Sequence, residues 1–371
     1  MTASLRQAAG SLLIVGLSGT ELTNLERAWL KLLRPGGVIL FRRNIDYAKQ
    51  TRELLHEATA LCAAHSFRCV DVEGGTVDRL RDALAPLPSA QAVMRAATNT
   101  KRMRLIHEQG ELVARGVKAF GFNTTLAPVL DLALPESTEV LGARAAASTA
   151  EGVVEYARGI LRGLAAHGVI GCGKHFPGLG GGTLDSHMET PSIHRSWRDL
   201  WSEDLVPYRK LSNELPMIMV SHAAYPETRS KERPASASAF WITTVLRKRI
   251  GYRGMILSDD LEMGGILKSM PIEEAAVVSI RAGMDLLEVC HSVELILRAY
   301  EALITEGERS AAFRKLLFAR ARWTSRQRVR LLAVGVPRAL SAAQFEALRK
   351  RVVRFGEVVL KAQSAEEVES A

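Results

Sequence analysis

The residues able to do chemistry fall in a few short runs. Lys174-His175-Phe176-Pro177-Gly178 leads into a glycine-rich stretch and then Asp185-Ser186-His187. Asp71-Val72-Glu73-Gly74-Gly75 precedes Arg79, and Asp131, Ser221-His222, Ser258-Asp259-Asp260 and Cys290-His291 complete the set. A histidine titrates near neutral pH and can give or take a proton. A carboxyl group can act as a nucleophile when ionised or as a proton donor when protonated, and a lysine amine can form a Schiff base. Each group also has a structural use. Asp71 can be a loop residue or helix cap, and Glu73 can hold its own loop. One of Asp259 and Asp260 can cap the following helix. Lys174 and His175 can be a surface pair. However, the apolar run at 169–172 makes Lys174 emerge from a core, where an amine needs a partner or a ligand.

Nearly all of these groups follow a short apolar, β-branched run. Eight such runs are present, at 11–17, 37–41, 67–72, 125–130, 169–172, 217–220, 255–257 and 286–290. Between most of them lie segments with helical spacing. In 151–167, Val154, Ala157, Leu161, Leu164 and Ala165 make one apolar stripe, and 102–119 is a second helix. Apolar strands alternating with amphipathic helices predict a parallel sheet covered by helices. Eight units predict an α/β fold, a (β/α)8 TIM-type barrel over residues 1–295, with the chemical groups gathered at one mouth. A doubly wound open sheet is the alternative, but no GxGxxG follows the first strand. Residues 296–371 read as a helical C-terminal extension of the same single domain. Within it 352–360 suits a short helix and 363–371 a frayed end.

Composition narrows the function classes. The chain has 371 residues, 47% hydrophobic and 24% charged, as in globular proteins. No run approaches the roughly 20 apolar residues of a membrane span, and 11–17 lacks the features of a signal peptide. A cytoplasmic location is expected. Cys62, Cys69, Cys172 and Cys290 form no CxxC pair and are expected to be reduced thiols. The net charge of +9 owes much to late arginines such as Arg309, Arg314, Arg320, Arg322, Arg326, Arg328 and Arg330. Without interleaved aromatics or a nucleic-acid motif, solvated helix faces are the expectation, and no nucleic-acid partner is expected. Attraction of an acidic substrate is a further use of this charge.

The run from Lys174 to His187 resembles the signature KH(F/I)PG(H/L)G-x4-D(S/T)H of glycoside hydrolase family 3, in the branch of bacterial β-N-acetylglucosaminidases that recycle peptidoglycan. Asp71-Val72-Glu73-Gly74-Gly75 with Arg79 is similar to that family's DQEGGxVxR segment. Leu126-Ala127-Pro128-Val129-Leu130-Asp131 resembles its APVxD strand, Pro234-Ala235-Ser236 its PAS loop, and Ser258-Asp259-Asp260-Leu261-Glu262-Met263 its nucleophile segment. The resemblance spans roughly residues 10–295, in matching order. Val72 replaces the usual glutamine and Thr76 a common arginine. Gly142-Ala143-Arg144 stands in place of a DRxF-like stretch, so the arginine matches and the following aromatic is missing.

The resemblance implies a retaining mechanism at a β-linked N-acetylglucosamine, on muropeptide fragments as substrate. It implies Asp259 as nucleophile and His187 with Asp185 as the acid/base dyad. Retention needs a carboxylate nucleophile and a separate proton donor. Asp185, two residues before His187, suits a carboxylate that fixes the imidazole tautomer. By position match, Asp71, Arg79, Arg144, Lys174 and His175 are implied to bind the sugar. The loop 178–182 is expected to be mobile and to bring His187 over the sugar. No cofactor is implied, no HxH or HExxH spacing points to a metal, and a monomer is expected. Two rival classes remain: a Schiff-base aldolase using Lys174, and a non-catalytic sugar-binding protein.

Overall fold

The computed structural model describes residues 4–96, 99–182, 191–333, 335 and 338–369. Ten strands follow in chain order: β1 (Leu13–Gly16), β2 (Gly37–Leu40), β3 (Phe67–Val70), β4 (Val72–Gly74), β5 (Val77–Asp78), β6 (Thr124–Thr125), β7 (Ile170–Phe176), β8 (Met217–Val220), β9 (Met255–Asp260) and β10 (Leu286–Val289). Eight of them close a barrel in the order β1-β10-β9-β8-β7-β6-β3-β2, while β4 and β5 form a separate hairpin. Every barrel pairing is parallel, and Leu13 opposite Leu287 closes the ring. Helices cover the outside, so each strand is buried on both faces and reads as a continuous apolar run.

The eight expected strands are these eight, with shifted bounds. The fourth shrinks from 125–130 to Thr124–Thr125. Pro128 has no N–H to give a ladder, and pairing beyond it continues only as an isolated Val129–Lys174 bridge. The fifth and seventh run further than expected, to Phe176 and Asp260, and so carry chemical groups inside the strands.

Alternation along each strand positions the site. Ile14, Ile39, Phe67, Ile170, Met217, Met255 and Leu286 fill the barrel interior as one apolar cluster. Cys69, Cys172 and Leu257 belong to the same inward series. Two residues further on, the series reaches Asp71, Lys174 and Asp259, so these must surface together at the C-terminal mouth.

On the outside, helix Asn99–Ala119 packs on helix Ala150–Ala166 through facing glycines. The expected stripe of the second helix is buried at Val154, Ala157, Leu161 and Leu164, while Ala165, at its edge, is exposed. A β-carbon on Gly163 would fall 2.5 Å from the Gly110 carbonyl carbon. Gly163→Ala is therefore expected to destabilise the protein by roughly 1–3 kcal/mol, as overpacking does. A lower urea midpoint at unchanged slope is the expected readout, and an unmoved midpoint contradicts it.

After β10 come helices Val293–Arg309, Ala311–Leu331 and Ala342–Glu369. The stretch 352–360 is thus part of a 28-residue helix rather than a short one. Leu348, Val352, Phe355 and Val359 recur at helical spacing and are buried. The backbone expected to fray from 363 stays helical to Glu369, and Gln363 Nε2 donates to the Ala92 carbonyl at 3.3 Å. The late arginines are not all solvated. Arg328 is 3% exposed, and Arg320 reaches Asp285 at 2.9 Å. Asp285 is wholly buried before β10, where it also holds Arg247 and accepts the Ile256 N–H at 2.8 Å. All four cysteines are buried free thiols. Among the described residues no helix is long and apolar enough to cross a membrane.

Candidate active site

Asp71 ends β3, and the hairpin β4–β5 follows at once. The two-residue step from Asp71 to Glu73 turns both carboxylates towards Lys174 on β7. Lys174 Nζ lies 2.8 Å from Asp71 Oδ1 and 2.7 Å from Glu73 Oε1. Arg144 grips Glu73 from the other side with Nε at 2.8 Å and Nη2 at 3.0 Å. The same Nη2 is 3.4 Å from His175 Nε2. His175 Nδ1 lies 2.7 Å from Asp131 Oδ2, which fixes the ring, and Asp131 Oδ1 accepts the Leu179 N–H at 2.8 Å. Arg79 Nε is 3.8 Å from Asp71 Oδ2. The result is one connected chain of acidic and basic groups, Asp71, Lys174, Glu73, Arg144, His175, Asp131.

Burial by itself would raise the Glu73 pKa, but Lys174 and Arg144 outweigh it and hold the carboxyl well below the usual carboxylate range. Burial by itself would lower the Lys174 pKa, but Asp71 and Glu73 raise it above the ordinary lysine value. Schiff-base chemistry needs a free amine. A lysine held protonated between two carboxylates serves as a fixed donor instead, and the aldolase alternative loses its nucleophile.

Asp259 and Asp260 end β9 with opposite environments. Asp259 is only partly buried, and its Oδ1 accepts the Asp260 N–H at 2.9 Å. Burial opposes its charge, but His175, the Asp260 N–H and Lys174 favour it and hold its pKa below the ordinary aspartate value. Asp260 is buried, and burial, reinforced by Glu262 and Asp259, pushes its pKa up to about 7. Only Asp259 is both accessible and firmly ionised. Asp260 does not cap the next helix. Its Oδ1 accepts the Glu262 N–H at 3.0 Å, and helix Gly264–Leu267 begins after Met263 without a side-chain cap.

Behind this pair lies His222, fully buried at the end of β8. Its Nε2 is 2.9 Å from the Asp260 carbonyl, so Nε2 carries the proton, and Nδ1 accepts from Ser236 Oγ at 2.7 Å. Burial pushes its pKa down, which keeps the ring neutral. The Pro234-Ala235-Ser236 loop thus sets the tautomer of the histidine that supports β9.

Asp260 binds its proton more tightly folded than unfolded, where an aspartate titrates near about 3.9. Stability present at low pH is therefore lost as pH rises from roughly 4 to 7. Asp260→Asn keeps the acceptor for Glu262 and should remove this loss. The expected result is a flatter stability–pH curve across that window in chemical denaturation, and an unchanged slope contradicts it.

The mouth thus brings together Asp71, Arg79, Arg144, Lys174, His175 and Asp259. Asp185 and His187 lie outside the described residues. The loop 178–182 is rich in glycine for close packing. It is mostly buried, and β-carbons on Gly180 and Gly181 would lie 2.7 Å from the Leu132 carbonyl and 2.6 Å from Arg195. Tyr225 Oη also donates to the Gly178 carbonyl at 2.7 Å. The composition that suggested mobility is spent on close approach.

Four further groups belong to the site. The sequence singles out Glu73, Asp131 and His222 by their strand-end positions but assigns them no part in the sugar site. Glu288 gives less signal, being a lone acid in an apolar run. It follows Leu286 on the inward face of β10, is 2% exposed, and its Oε1 has no partner. Burial, with Asp71, Asp259 and Asp260 nearby, raises its pKa well above the usual value beneath the site. Among the described residues no group of three or more His, Cys, Asp or Glu side chains is placed to hold a metal ion.

The model of the glycosyl hydrolase family 3 N-terminal domain matches residues 4–316. A β-hexosaminidase of Alkalilimnicola ehrlichii is 38% identical over 287 residues, 76% of this chain and 82% of that protein. One from Idiomarina loihiensis is 34% identical over 279 residues, 75% of this chain and 83% of that protein. Among solved structures, a family 3 β-N-acetylglucosaminidase from Paenibacillus sp. superposes with a TM-score of 0.86 at 28% identity, covering 96% of this chain and 69% of that one. NagZ from Neisseria gonorrhoeae, in complex with N-trifluoroacetyl-D-glucosamine, superposes with a TM-score of 0.76 at 28% identity, covering 94% and 98%.

Proposed function

The chain belongs to glycoside hydrolase family 3 as a β-N-acetylhexosaminidase, and from that premise we propose that it removes terminal β-linked N-acetylglucosamine from muropeptide fragments with retention of configuration. The observation that carries the mechanism is the asymmetry at the end of β9. Asp259 is accessible and ionised, while Asp260 is buried and titrates near 7.

An Asp259 carboxylate oxygen forms a bond to the anomeric carbon as the bond to the leaving sugar oxygen breaks. His187 supplies the proton that oxygen needs, with Asp185 accepting the hydrogen bond from the other ring nitrogen. Water then attacks the glycosyl-enzyme, His187 takes its proton, and Asp259 leaves as carboxylate. Asp71, Arg79, Arg144, Lys174 and His175 supply the directed donors and acceptors for the sugar, and the Lys174–Glu73–Arg144 clamp keeps them in place. An acidic aglycone suits the rim beside Asp71. There Arg43 and Arg79 lie over the Phe41 ring at 4.7 and 5.8 Å, and His291 stacks on it at 5.1 Å. A cytoplasmic monomer fits this role.

Aryl glycosides test the sugar. Cleavage of the N-acetylglucosaminide should exceed that of the glucoside by at least about a hundredfold, because a site built to hydrogen-bond a substrate group rejects analogues lacking it. Equal rates on both would remove the assignment.

A further inference from the structure

The barrel has a second concave face, at the pole opposite the mouth. Just before β1, β2 and β3, Ser11, Arg34 and Ala63-Ala64 border a cleft of about 970 Å³, closed on its far side by helix Ala311–Leu331. An adjoining cavity of about 410 Å³ shares Arg34, Ala63 and Ala64. Arg34, Arg322, Arg326 and Arg328 line the first, and Arg34 and Arg68 the second, with no aspartate or glutamate in either lining.

Among the described residues none of these five arginines makes an ion pair. Elsewhere the same chain end pairs its arginines, as with Arg320 on Asp285 and Arg309 on Glu306. Arg328 is the sharpest case. It is 3% exposed, Nη1 donates to the Ser11 carbonyl at 2.8 Å, and Nε is buried without a partner. Burial pushes its pKa down to about 10, the mark of a cation short of negative charge. Arg322 and Arg326 stand four residues apart on one helix, where like charges repel.

We propose that this cleft binds a phosphorylated small molecule of nucleotide size, with its phosphates held by Arg322, Arg326 and Arg328. The uncharged body lies over Phe318 and Ala63-Ala64. The guanidinium fork matches phosphate oxygens in pairs, and a bound polyanion supplies the charge that Arg328 lacks and relieves the repulsion on the helix. The volume falls in the range of ligand pockets, roughly 300–1,000 Å³. A concave site with an apolar floor favours a small ligand over an extended polymer.

The test is calorimetric titration of the whole protein with adenosine diphosphate, using adenosine and sodium chloride of matched ionic strength as controls. Adenosine diphosphate should bind saturably with one site per chain, and adenosine and chloride should give no comparable signal. Arg322→Glu/Arg326→Glu should weaken binding by at least about tenfold, with turnover of an aryl N-acetylglucosaminide unchanged. Both side chains are exposed, and the milder Arg322→Gln/Arg326→Gln pair should show the same direction. The site is overturned if adenosine binds as tightly as the diphosphate. It is also overturned if the charge-altered variants bind it as well as the unaltered chain, or if a short oligonucleotide competes equally with both, which would mean surface charge alone.

Discussion

Alanine in place of Asp259 is expected to cut turnover of an aryl N-acetylglucosaminide by on the order of 10⁴- to 10⁶-fold, the scale of losing a covalent nucleophile. The fold should survive. Asp259 is only partly buried, and its one hydrogen bond given above comes from the neighbouring Asp260 N–H. A 2-fluoro glycosyl inhibitor should label the peptide holding Ser258-Asp259-Asp260 in the unaltered enzyme. The other carboxylates are occupied. Glu73 is clamped by Lys174 and Arg144, and Glu262 accepts the backbone N–H groups of His291 and Ser292. Label on Glu73 or Glu262 would transfer the role, and turnover within tenfold of the parent would remove a covalent step through Asp259.

The second large effect is conditional on the leaving group. Loss of a general acid costs typically 10²–10⁴-fold when the departing oxygen needs a proton. His187→Ala should lose about that much on a natural sugar leaving group. A dinitrophenolate departs unaided, so formation of the glycosyl-enzyme on that substrate should be nearly unchanged. Deglycosylation then limits, because water has lost its base. Stopped-flow traces should show a burst of dinitrophenol and a slow phase that azide accelerates. Asp185→Ala should show the same pattern more weakly, as the ring remains but loses its orientation. Equal losses on good and poor leaving groups would make His187 a binding residue.

Alternation and strand-end logic made much of this site legible from sequence. Apolar runs rich in β-branched residues mark the barrel strands, and the residues just beyond them include Asp71, Lys174 and Asp259. Legibility failed where partners are distant in sequence. Glu73 looks like a loop residue until Lys174 and Arg144, 101 and 71 residues away, close on it. Asp260 looks like a cap, and it is burial, with Glu262 and Asp259 beside it, that gives it a pKa near 7. Glu288 hides within an apolar strand, because its surroundings are set by Asp71, Asp259 and Asp260 at the ends of other strands. The glycines of 178–182 failed for another reason, since flexibility and close approach demand the same residue.

The buried Asp285 bears on how the molecule can be divided. The family match stops at residue 316, within helix Ala311–Leu331 and short of Arg320. Arg320 and Arg247 share the Asp285 carboxylate under β9 and β10. A protein cut at the edge of the family match would keep the acid and one base and discard the other, leaving a carboxylate inside the barrel wall with half its compensation. The portable unit, for grafting onto another scaffold or exchange among relatives, therefore extends past the boundary that homology draws. The last helices are masonry of the barrel's base, and a designer trimming them as ornament would be removing a foundation stone.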